Sequence, residues 1–430
     1  MILLSTISDF FSFSDPNVLF VLAGMVFLGI SSSTIGTFAF LRKRSLTGDA
    51  IAHSVLPGIC LAFLLFDTRN LWVLLGGAFV TGWLSIFLVD IVTRKSRIKT
   101  DAAIGIALSV FFGAGIVLLT YIQQTGNAGQ SGLNNFLLGK AAAMSPDDII
   151  TMMVVSGIIV LVVVLFFKEF TLLAFDPEYA RASGMPIRFL ETLLTTLTVM
   201  AVAVGIQAVG VVLMAAMLIT PPAAARFWTN NLKKMVLLSV AFGILGGFMG
   251  AFISYTDNRM PTGPWVVTMT SLLVLFSLIA APGKGLAARW LLRRRYGEKV
   301  GRENTLKVLY HLKEQHPERQ TFTMEAMLQR RSMDPVKLAR ALRSLIKKGM
   351  VVRQDNGYQL NTSGEEEGKR IVRIHRLWEM YLTEKMNIAA DHVHDDAEAI
   401  EHIITPEMEE KLARLLDFPD KDPHNKTIPW

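Results

Sequence analysis

Long apolar runs fill the first two thirds of this chain and constrain its fold more than any other feature. Between Val18 and about Ala281 the runs extend over roughly 18 to 25 residues each, the length that an α-helix needs to cross about 30 Å of hydrocarbon. Of the 430 residues, 51% are apolar and 18% are charged. This composition is typical of a polytopic, all-α membrane protein and excludes an ordinary soluble domain.

The apolar runs divide into nine predicted spans, at about Val18–Leu41, Ala50–Phe66, Leu71–Thr93, Ala102–Ile122, Ile149–Phe167, Phe189–Gln207, Val209–Ala225, Met235–Tyr255 and Gly263–Ala281. Lys and Arg cluster after the odd-numbered spans, whereas the other loops contain only Arg69, Lys140 and Arg259. Because cytoplasmic loops carry the excess of basic residues, the amino terminus is expected outside and the tail from Lys284 inside.

The character of the chain changes after the last span, where the segment from Pro282 to Gly285 breaks the helix and charged residues become frequent. We therefore predict four parts. They are a membrane domain at 1–285, a linker at 286–302, a winged-helix domain at 303–363 and a helical domain at 364–430. Cys60 is the only cysteine, so any metal site must use His and carboxylate ligands.

Asp49 and His53 stand four residues apart at the predicted cytoplasmic start of the second span. On a helix this spacing places a carboxylate and an imidazole on one face, where they can share a divalent cation. In a homodimer, two such pairs would form a ring of two Asp and two His on the pore axis. The alternative is that Asp49 caps the helix and His53 bonds a neighbouring backbone group.

The stretch Leu41–Gly58, which reads LRKRSLTGDAIAHSVLPG, resembles the signature of the zinc/manganese/iron ABC permease family. The resemblance implies a type II importer permease that forms a homodimer or a dimer with a homologous permease in the bacterial inner membrane. It also implies that Asp49 and His53 meet the transported ion, and that an extracytoplasmic metal-binding protein delivers it. Manganese, iron and zinc ions all accept such ligands, so the sequence leaves the metal open.

A polar segment with small residues, Phe175–Pro186, lies between the fifth and sixth spans and is closed by Gly184. It is similar to the coupling helix of the same family, which implies docking to a nucleotide-binding subunit through Phe175, Asp176, Glu178, Ala180 and Gly184. An unpartnered connecting loop is the alternative. The chain contains no Walker motif, so ATP hydrolysis is expected from a separate ATPase subunit and this chain is expected not to be an enzyme.

The first part of the tail shows the pattern of a winged helix, an α+β fold. Three predicted helices, at Asn304–Gln315, Thr323–Arg330 and from Asp334–Pro335 onwards, precede two short β-rich runs around the turn residues Asp355, Asn356 and Gly357. The third helix carries a basic face that could contact DNA, formed by Lys337, Arg340, Arg343 and Lys347. A solvated surface or a protein-docking module is the alternative.

Acidic and imidazole side chains crowd the second part of the tail. His375 and Glu379 are one helical turn apart, and Asp391–Ile404 contains five carboxylates and three imidazoles but no Lys or Arg. Such crowding of like charges indicates a bound cation, and ligands without sulfur suit Mn²⁺, Fe²⁺ or Zn²⁺. An acidic docking surface is the alternative.

The tail is similar to the iron- and manganese-dependent repressor family at His375–Glu379, Val393–His402 and Asp422–His424. The resemblance implies an ancillary metal site at His375, Glu379 and His394, and part of a primary site at Glu398, Glu401 and His402. Asn304 and Lys307 stand where that family takes ligands from its first helix, and Asn425 stands where it usually has glycine.

Two functions from different classes follow from these patterns. The first is a permease subunit of an ATP-driven importer for a divalent transition metal, with a cytoplasmic, metal-sensing tail. The second is a membrane-tethered, metal-dependent regulator whose tail binds DNA. A secondary transporter driven by an ion gradient is a third reading, which the coupling-helix resemblance disfavours.

Overall fold

The computed structural model describes residues 10, 12, 16–43, 46–68, 70–124, 139, 144–256, 260–354, 357–389, 392–393, 397–398 and 400–430. The chain forms two compact units, Met1–Ala288 and Arg289–Trp430. Each has its own buried apolar core, so each can be described by itself.

The first unit is built from helices only, within the part of the chain that the structure describes. They are α1 (Pro16–Leu41), α2 (Leu46–Phe66), α3 (Leu71–Lys95), α4 (Thr100–Gln124), α5 (Pro146–Leu165), α6 (Phe167–Phe175), α7 (Pro177–Ala182), α8 (Ile187–Val209), α9 (Val211–Trp228), α10 (Leu232–Tyr255) and α11 (Thr262–Ala280). Among the described residues, eight helices are long and apolar enough to cross a membrane, namely α1 to α5, α8, α10 and α11. The predicted polytopic membrane class is confirmed, with a count near the nine predicted spans.

The sixth and seventh predicted spans, which almost touch in the sequence, correspond to α8 and α9. Gly210 separates them with a φ of 83°, a left-handed backbone conformation that an L side chain rarely adopts. Helix α9 has 18 residues and contains Pro221 and Pro222. Proline has no backbone N–H, so α9 lacks two hydrogen-bond donors at these positions although the helix continues through them.

The outer faces of the membrane helices are apolar. Leu65, Trp72, Val117 and Leu237 are each more than half exposed. Exposed apolar side chains of this size contact lipid favourably, whereas in a water-soluble protein they would mark an aggregation surface.

Glycines bring the backbones around α2 close together. Gly58 of α2 and Gly77 of α3 face each other so closely that a Cβ on either residue would overlap the carbonyl of the other. Gly36 of α1 and Gly48 of α2 both abut Leu218 of α9. Three helices therefore meet beside the first turn of α2.

Among its described residues, the second unit contains most of α12 (Leu286–Gln315), together with α13 (Met324–Arg330), α14 (Pro335–Lys347), β1 (Val351–Gln354), β2 (Gly357–Leu360), α15 (Thr362–Met386) and α16 (Pro406–Leu415). Strands β1 and β2 are antiparallel, with Val351 opposite Leu360, and Phe322 forms a further bridge to Tyr358. Three helices followed by this hairpin confirm the predicted winged helix. Residues 355 and 356 of the predicted turn lie outside the described residues.

The first tail helix is longer than expected. It begins at Leu286 and not at Asn304, so the stretch predicted as a linker, 286–302, is helical. A change in charge marked that stretch as a boundary, but Leu, Ala and Arg are all good helix formers and no proline interrupts them. The change in composition therefore coincides with the turn between α11 and α12, and the charged stretch after it belongs to a helix.

Candidate functional site

Asp49 and His53 lie side by side on α2. Asp49 Oδ1 and His53 Nε2 are 3.5 Å apart, and the two side chains are 35% and 16% exposed. The imidazole meets the ring of Phe112 edge to face, with ring centroids 4.8 Å apart. Its Nδ1 atom is buried and has no hydrogen-bond partner among the described residues. The pair is thus partly open to its surroundings.

This geometry bears on the alternative in which the two residues only stabilise the helix. Asp49 lies within the first turn of α2, which begins at Leu46, so it is not the residue that precedes the helix. His53 makes no backbone hydrogen bond through the buried Nδ1 in the described structure. A carboxylate and an imidazole that face each other in this way supply two ligands for a divalent ion.

Further polar groups lie together near Arg42 at the end of α1, near the end of α3 and in the first half of α8. A cavity of about 140 Å³ is lined by Arg42, Thr47, Asp90, Arg94 and Thr198, among others. Arg42 also forms an ion pair with Glu191 of α8. Sequence reasoning missed Asp90 and Glu191 as candidate residues, although an acidic residue inside an apolar span is a signal that it used elsewhere.

The segment predicted as a coupling helix has one anchored and several exposed residues. Asp176 joins α6 to α7, and its carboxylate accepts a hydrogen bond from the backbone N–H of Tyr179 at 2.9 Å. Ala180 is fully buried, whereas Phe175 and Tyr179 are 59% and 60% exposed. Glu178 is also exposed, and Gly184, with a φ of 78°, ends the turn at the surface. Two aromatic rings therefore point away from the helix packing.

A buried lysine lies among the predicted metal ligands of the tail. Lys307 Nζ is 2.7 Å and 3.0 Å from the two carboxylate oxygens of Glu401 and 3.0 Å from His375 Nδ1. It is 3.8 Å from a carboxylate oxygen of Glu398. Lys307 is 3% exposed and the Glu401 side chain is fully buried. An ammonium group is therefore the cation at this position.

The other predicted ligands have partners of their own. His375 Nε2 is 3.0 Å from Glu379, and His402 Nδ1 is 2.7 Å from Glu303. His394 lies outside the described residues. Among the residues that are described, no three His, Cys, Asp or Glu side chains are arranged to hold a metal ion. With Lys307 between them, the described residues do not fit a divalent cation.

The ionisable groups of this cluster shift one another's pKa values. Burial lowers the pKa of Lys307, while the neighbouring Glu401 carboxylate acts in the opposite direction. Burial would also lower the pKa of His375, but hydrogen bonds to Glu379 and Glu401 outweigh it and raise that pKa. Burial would raise the pKa of Glu401, yet His375 and Lys307 hold it below its usual value. Lys307 and His375 therefore favour the charged form of the Glu401 carboxyl group.

The four basic residues predicted to contact DNA are all exposed on α14. Two of them, Lys337 and Arg340, line a cavity of about 320 Å³. The opposite wall belongs to α12 and includes Arg293, Arg294 and Arg302. Arg343 and Lys347 do not line this cavity. The structure thus forms a basic groove, one wall of which sequence reasoning had placed in the linker.

A polytopic helical membrane unit that carries a winged-helix tail defines the class of this protein as a membrane permease with a repressor-like extension. Comparison with family models supports this description of both the membrane unit and the tail. Residues 14–281 match the model of the ABC 3 transport family, and residues 361–430 match the iron dependent repressor, metal binding and dimerisation domain. The chain belongs to the ABC 3 transport family.

Relatives with assigned names are similar over most of their length. The manganese transport system membrane protein MntC of Bacillus subtilis is 41% identical over 415 residues, which cover 96% of this chain and 94% of that protein. The zinc transport system membrane protein TroC of Treponema pallidum is 41% identical over 283 residues, 66% of this chain and 95% of that protein. The match to MntC therefore includes the tail.

A solved structure is similar to the membrane unit. PsaBC from Streptococcus pneumoniae, in complex with Fab, aligns with a TM-score of 0.60 and 33% identity. The alignment covers 67% of this chain and 99% of the PsaBC chain. The helical arrangement described above is thus one that a related protein also adopts.

Proposed function

We propose that the chain is the membrane permease subunit of an ATP-binding-cassette importer for a divalent transition metal ion. The observation that carries the proposal is the Asp49–His53 pair, in which a carboxylate and an imidazole 3.5 Å apart face each other on a membrane helix. Ionisable groups are costly within a membrane-spanning helix, and a passing dication accounts for both. The names of the relatives MntC and TroC support manganese or zinc as the substrate, and the same ligands suit iron.

The pair in one subunit is an incomplete coordination sphere. Zinc typically takes four ligands, and manganese and iron commonly take more, so Asp49 and His53 need further donors. A second permease subunit that presents the same two residues across a two-fold axis would supply them. We therefore propose a homodimer or a dimer with a homologous permease.

The exposed segment around α7 is the proposed docking point for a separate ATPase subunit. Phe175 and Tyr179 present aromatic surface, and Asp176 and Glu178 add negative charge beside it. Aromatic residues that are exposed on a fixed element are common anchors of protein interfaces. The anchored Ala180 would transmit a movement of this segment into the core of the membrane unit.

The remaining partners follow from the proposed direction of transport. An extracytoplasmic metal-binding protein would deliver the ion to the outer side of a bacterial inner membrane. The positions of Lys and Arg between the spans support a cytoplasmic tail. The importer would thus combine this chain with an ATPase inside the cell and a binding protein outside it.

Uptake of radiolabelled Mn²⁺ or Zn²⁺ by cells tests the proposal. Asp49→Ala and His53→Ala should each reduce uptake at least about tenfold, because the loss of one ligand of a metal site commonly costs that much or more in affinity. Asp101→Ala is the matched control, since Asp101 is an exposed acidic residue in the first turn of α4. Uptake that is unchanged in both pair variants, with the protein present in the membrane, would contradict the proposal.

A second role, contact of the tail with DNA, is favoured by the basic groove between α12 and α14. Lys and Arg that line such a groove can neutralise phosphates, and the affinity then depends steeply on salt. Binding of a fluorescent DNA duplex to the full chain in detergent tests this role. Lys337→Ala with Arg340→Ala should weaken binding, whereas Arg414→Ala, on the exposed face of α16, should not. An unchanged affinity in the double variant would remove DNA as a partner of the groove.

A further inference from the structure

Three segments of the tail meet at the Lys307 ammonium group. Lys307 lies on α12, His375 on α15, and Glu401 in the stretch that precedes α16. Their sequence separations are 68 and 94 residues, so the cluster joins distant parts of the domain. All three residues are nearly inaccessible to solvent. The contact therefore belongs to the interior of the domain and not to its solvated surface.

The ammonium does for these groups what a metal ion would otherwise do. A buried carboxylate needs a positive charge or several hydrogen-bond donors, and Lys307 supplies both to the two oxygens of Glu401. A divalent ion placed among the same oxygens would lie within a few ångströms of the ammonium and would be repelled by it. One site cannot hold both cations.

The neighbouring residues that were predicted as metal ligands also have partners within the protein. Glu398 accepts a hydrogen bond from Arg331 at 3.0 Å, and His402 pairs with Glu303. Glu379 pairs with the second nitrogen of His375. Each of these side chains has a partner within the protein, so a metal ion would have to break several buried contacts at once.

We propose that Lys307 takes the place of a metal ion in this tail, so that α12, α15 and the stretch around Glu401 are held together without metal. The tail then keeps its folded arrangement at any cytoplasmic metal concentration. This proposal is independent of the transport proposed above, because the residues involved lie in a different unit of the chain.

Hydrogen–deuterium exchange of the full chain in detergent locates any effect of metal within the tail. The relevant peptides cover 371–382 and 400–404, and exchange is compared in EDTA and in Mn²⁺. For the natural chain we expect no difference in these peptides. Exchange in peptides from 46–66 reports separately on metal binding at Asp49 and His53. A failure of the transport proposal can therefore be told apart from a failure of the proposal for Lys307.

Removal of the ammonium should create a metal-dependent site. In Lys307→Ala, Glu401 loses the ammonium that contacts both of its oxygens, while Glu398 keeps its pair with Arg331. Mn²⁺ at about ten times its dissociation constant should then slow exchange about tenfold in the tail peptides. Lys307→Gln serves as a second variant, because its amide can still donate to Glu401 and preserve the fold. Lys313→Ala is the matched control, since Lys313 lies on the same helix and pairs with Glu365 at the surface.

Two results would overturn the proposal. One is slower exchange of the 371–382 and 400–404 peptides of the natural chain when Mn²⁺ is added. The other is a folded Lys307→Gln variant whose tail peptides exchange equally in EDTA and Mn²⁺. If Lys307→Ala is unfolded in EDTA, recovery of its protection with Mn²⁺ supports the proposal, and failure to recover contradicts it.

Discussion

Glu314 and Arg376 form an ion pair that joins α12 to α15. The two terminal guanidinium nitrogens of Arg376, Nη1 and Nη2, donate to the two carboxylate oxygens of Glu314 at 3.0 Å and 2.8 Å. A hydrogen bond from His311 and this ion pair lower the pKa of Glu314 to about 2, from an ordinary value of 4.5. A carboxyl group of this kind stabilises the folded state above its unfolded pKa, and the stabilisation is lost as the pH falls through the folded value.

We therefore expect the tail to lose stability between about pH 4.5 and pH 2, because the unfolded chain takes up a proton that the folded chain resists. Glu314→Gln should cost about 1–2 kcal/mol at pH 7 and flatten this acid dependence, because the buried Arg376 loses one of its two acidic partners and keeps only Asp422. Chemical denaturation of the full chain, followed by exchange in tail peptides, measures both effects. Glu410→Gln, in an exposed pair with Arg414, is the control and should change neither. A steep acid dependence that persists in Glu314→Gln would contradict the assignment.

Asn425 is a position whose backbone conformation could be expected from the sequence. It has a φ of 61°, a left-handed conformation that Gly adopts freely and Asn tolerates. The repressor family that the tail resembles usually has glycine at this position. Because Asn tolerates the same conformation, the replacement of Gly by Asn is compatible with the same backbone. Lys307 is the opposite case, since the sequence marked it as foreign to a metal site but could not show that it contacts Glu401, 94 residues away.

At the scale of elements, the short helix α7 can be tested for the proposed coupling. Phe175→Ala with Tyr179→Ala should lower transport-coupled ATP hydrolysis by about tenfold, because each buried aromatic anchor of an interface can contribute 1 kcal/mol or more. Phe276→Ala is the matched control, since Phe276 is 56% exposed on the membrane helix α11. The measurement is ATPase activity of the assembled complex in lipid.

Retention of the ATPase rate in the Phe175 and Tyr179 variant, or an equal loss in Phe276→Ala, would contradict a specific role for α7. Gly184→Ala adds an independent test of the same element. Its φ of 78° is strained for alanine by about 1–2 kcal/mol, although a Cβ there would meet no neighbour within 4 Å. Any effect would therefore come from the backbone and not from a clash.

Helices and their facing residues were predictable where a short-range rule applies. The i, i+4 spacing placed Asp49 beside His53, and hydrophobic length located the membrane helices. The helical conformation of 286–302 was not predicted, because the change of charge after the last span indicated a linker there, whereas α12 runs through the whole stretch. Groupings such as Arg42 with Glu191, or the groove between α12 and α14, depend on tertiary packing that no local pattern encodes.

At the scale of the whole molecule, the chain joins a membrane permease unit to a repressor-like tail, and the match to MntC over 96% of this chain shows that a relative shares the combination. The two units have separate cores and separate polar clusters. Under our account they treat cations differently. The membrane unit passes a mobile dication at Asp49 and His53, whereas the tail holds a fixed ammonium at Lys307.

Anomalous diffraction or electron density of the assembled importer with bound Zn²⁺ tests the central claim most directly. The account predicts one metal peak between the two permease subunits, about 2.0–2.2 Å from an Asp49 carboxylate oxygen and a His53 ring nitrogen of this chain and equally close to the matching ligands of the second subunit, and no peak at Lys307. A metal peak elsewhere in the membrane unit, with Asp49 and His53 bonded only to protein groups, would contradict it.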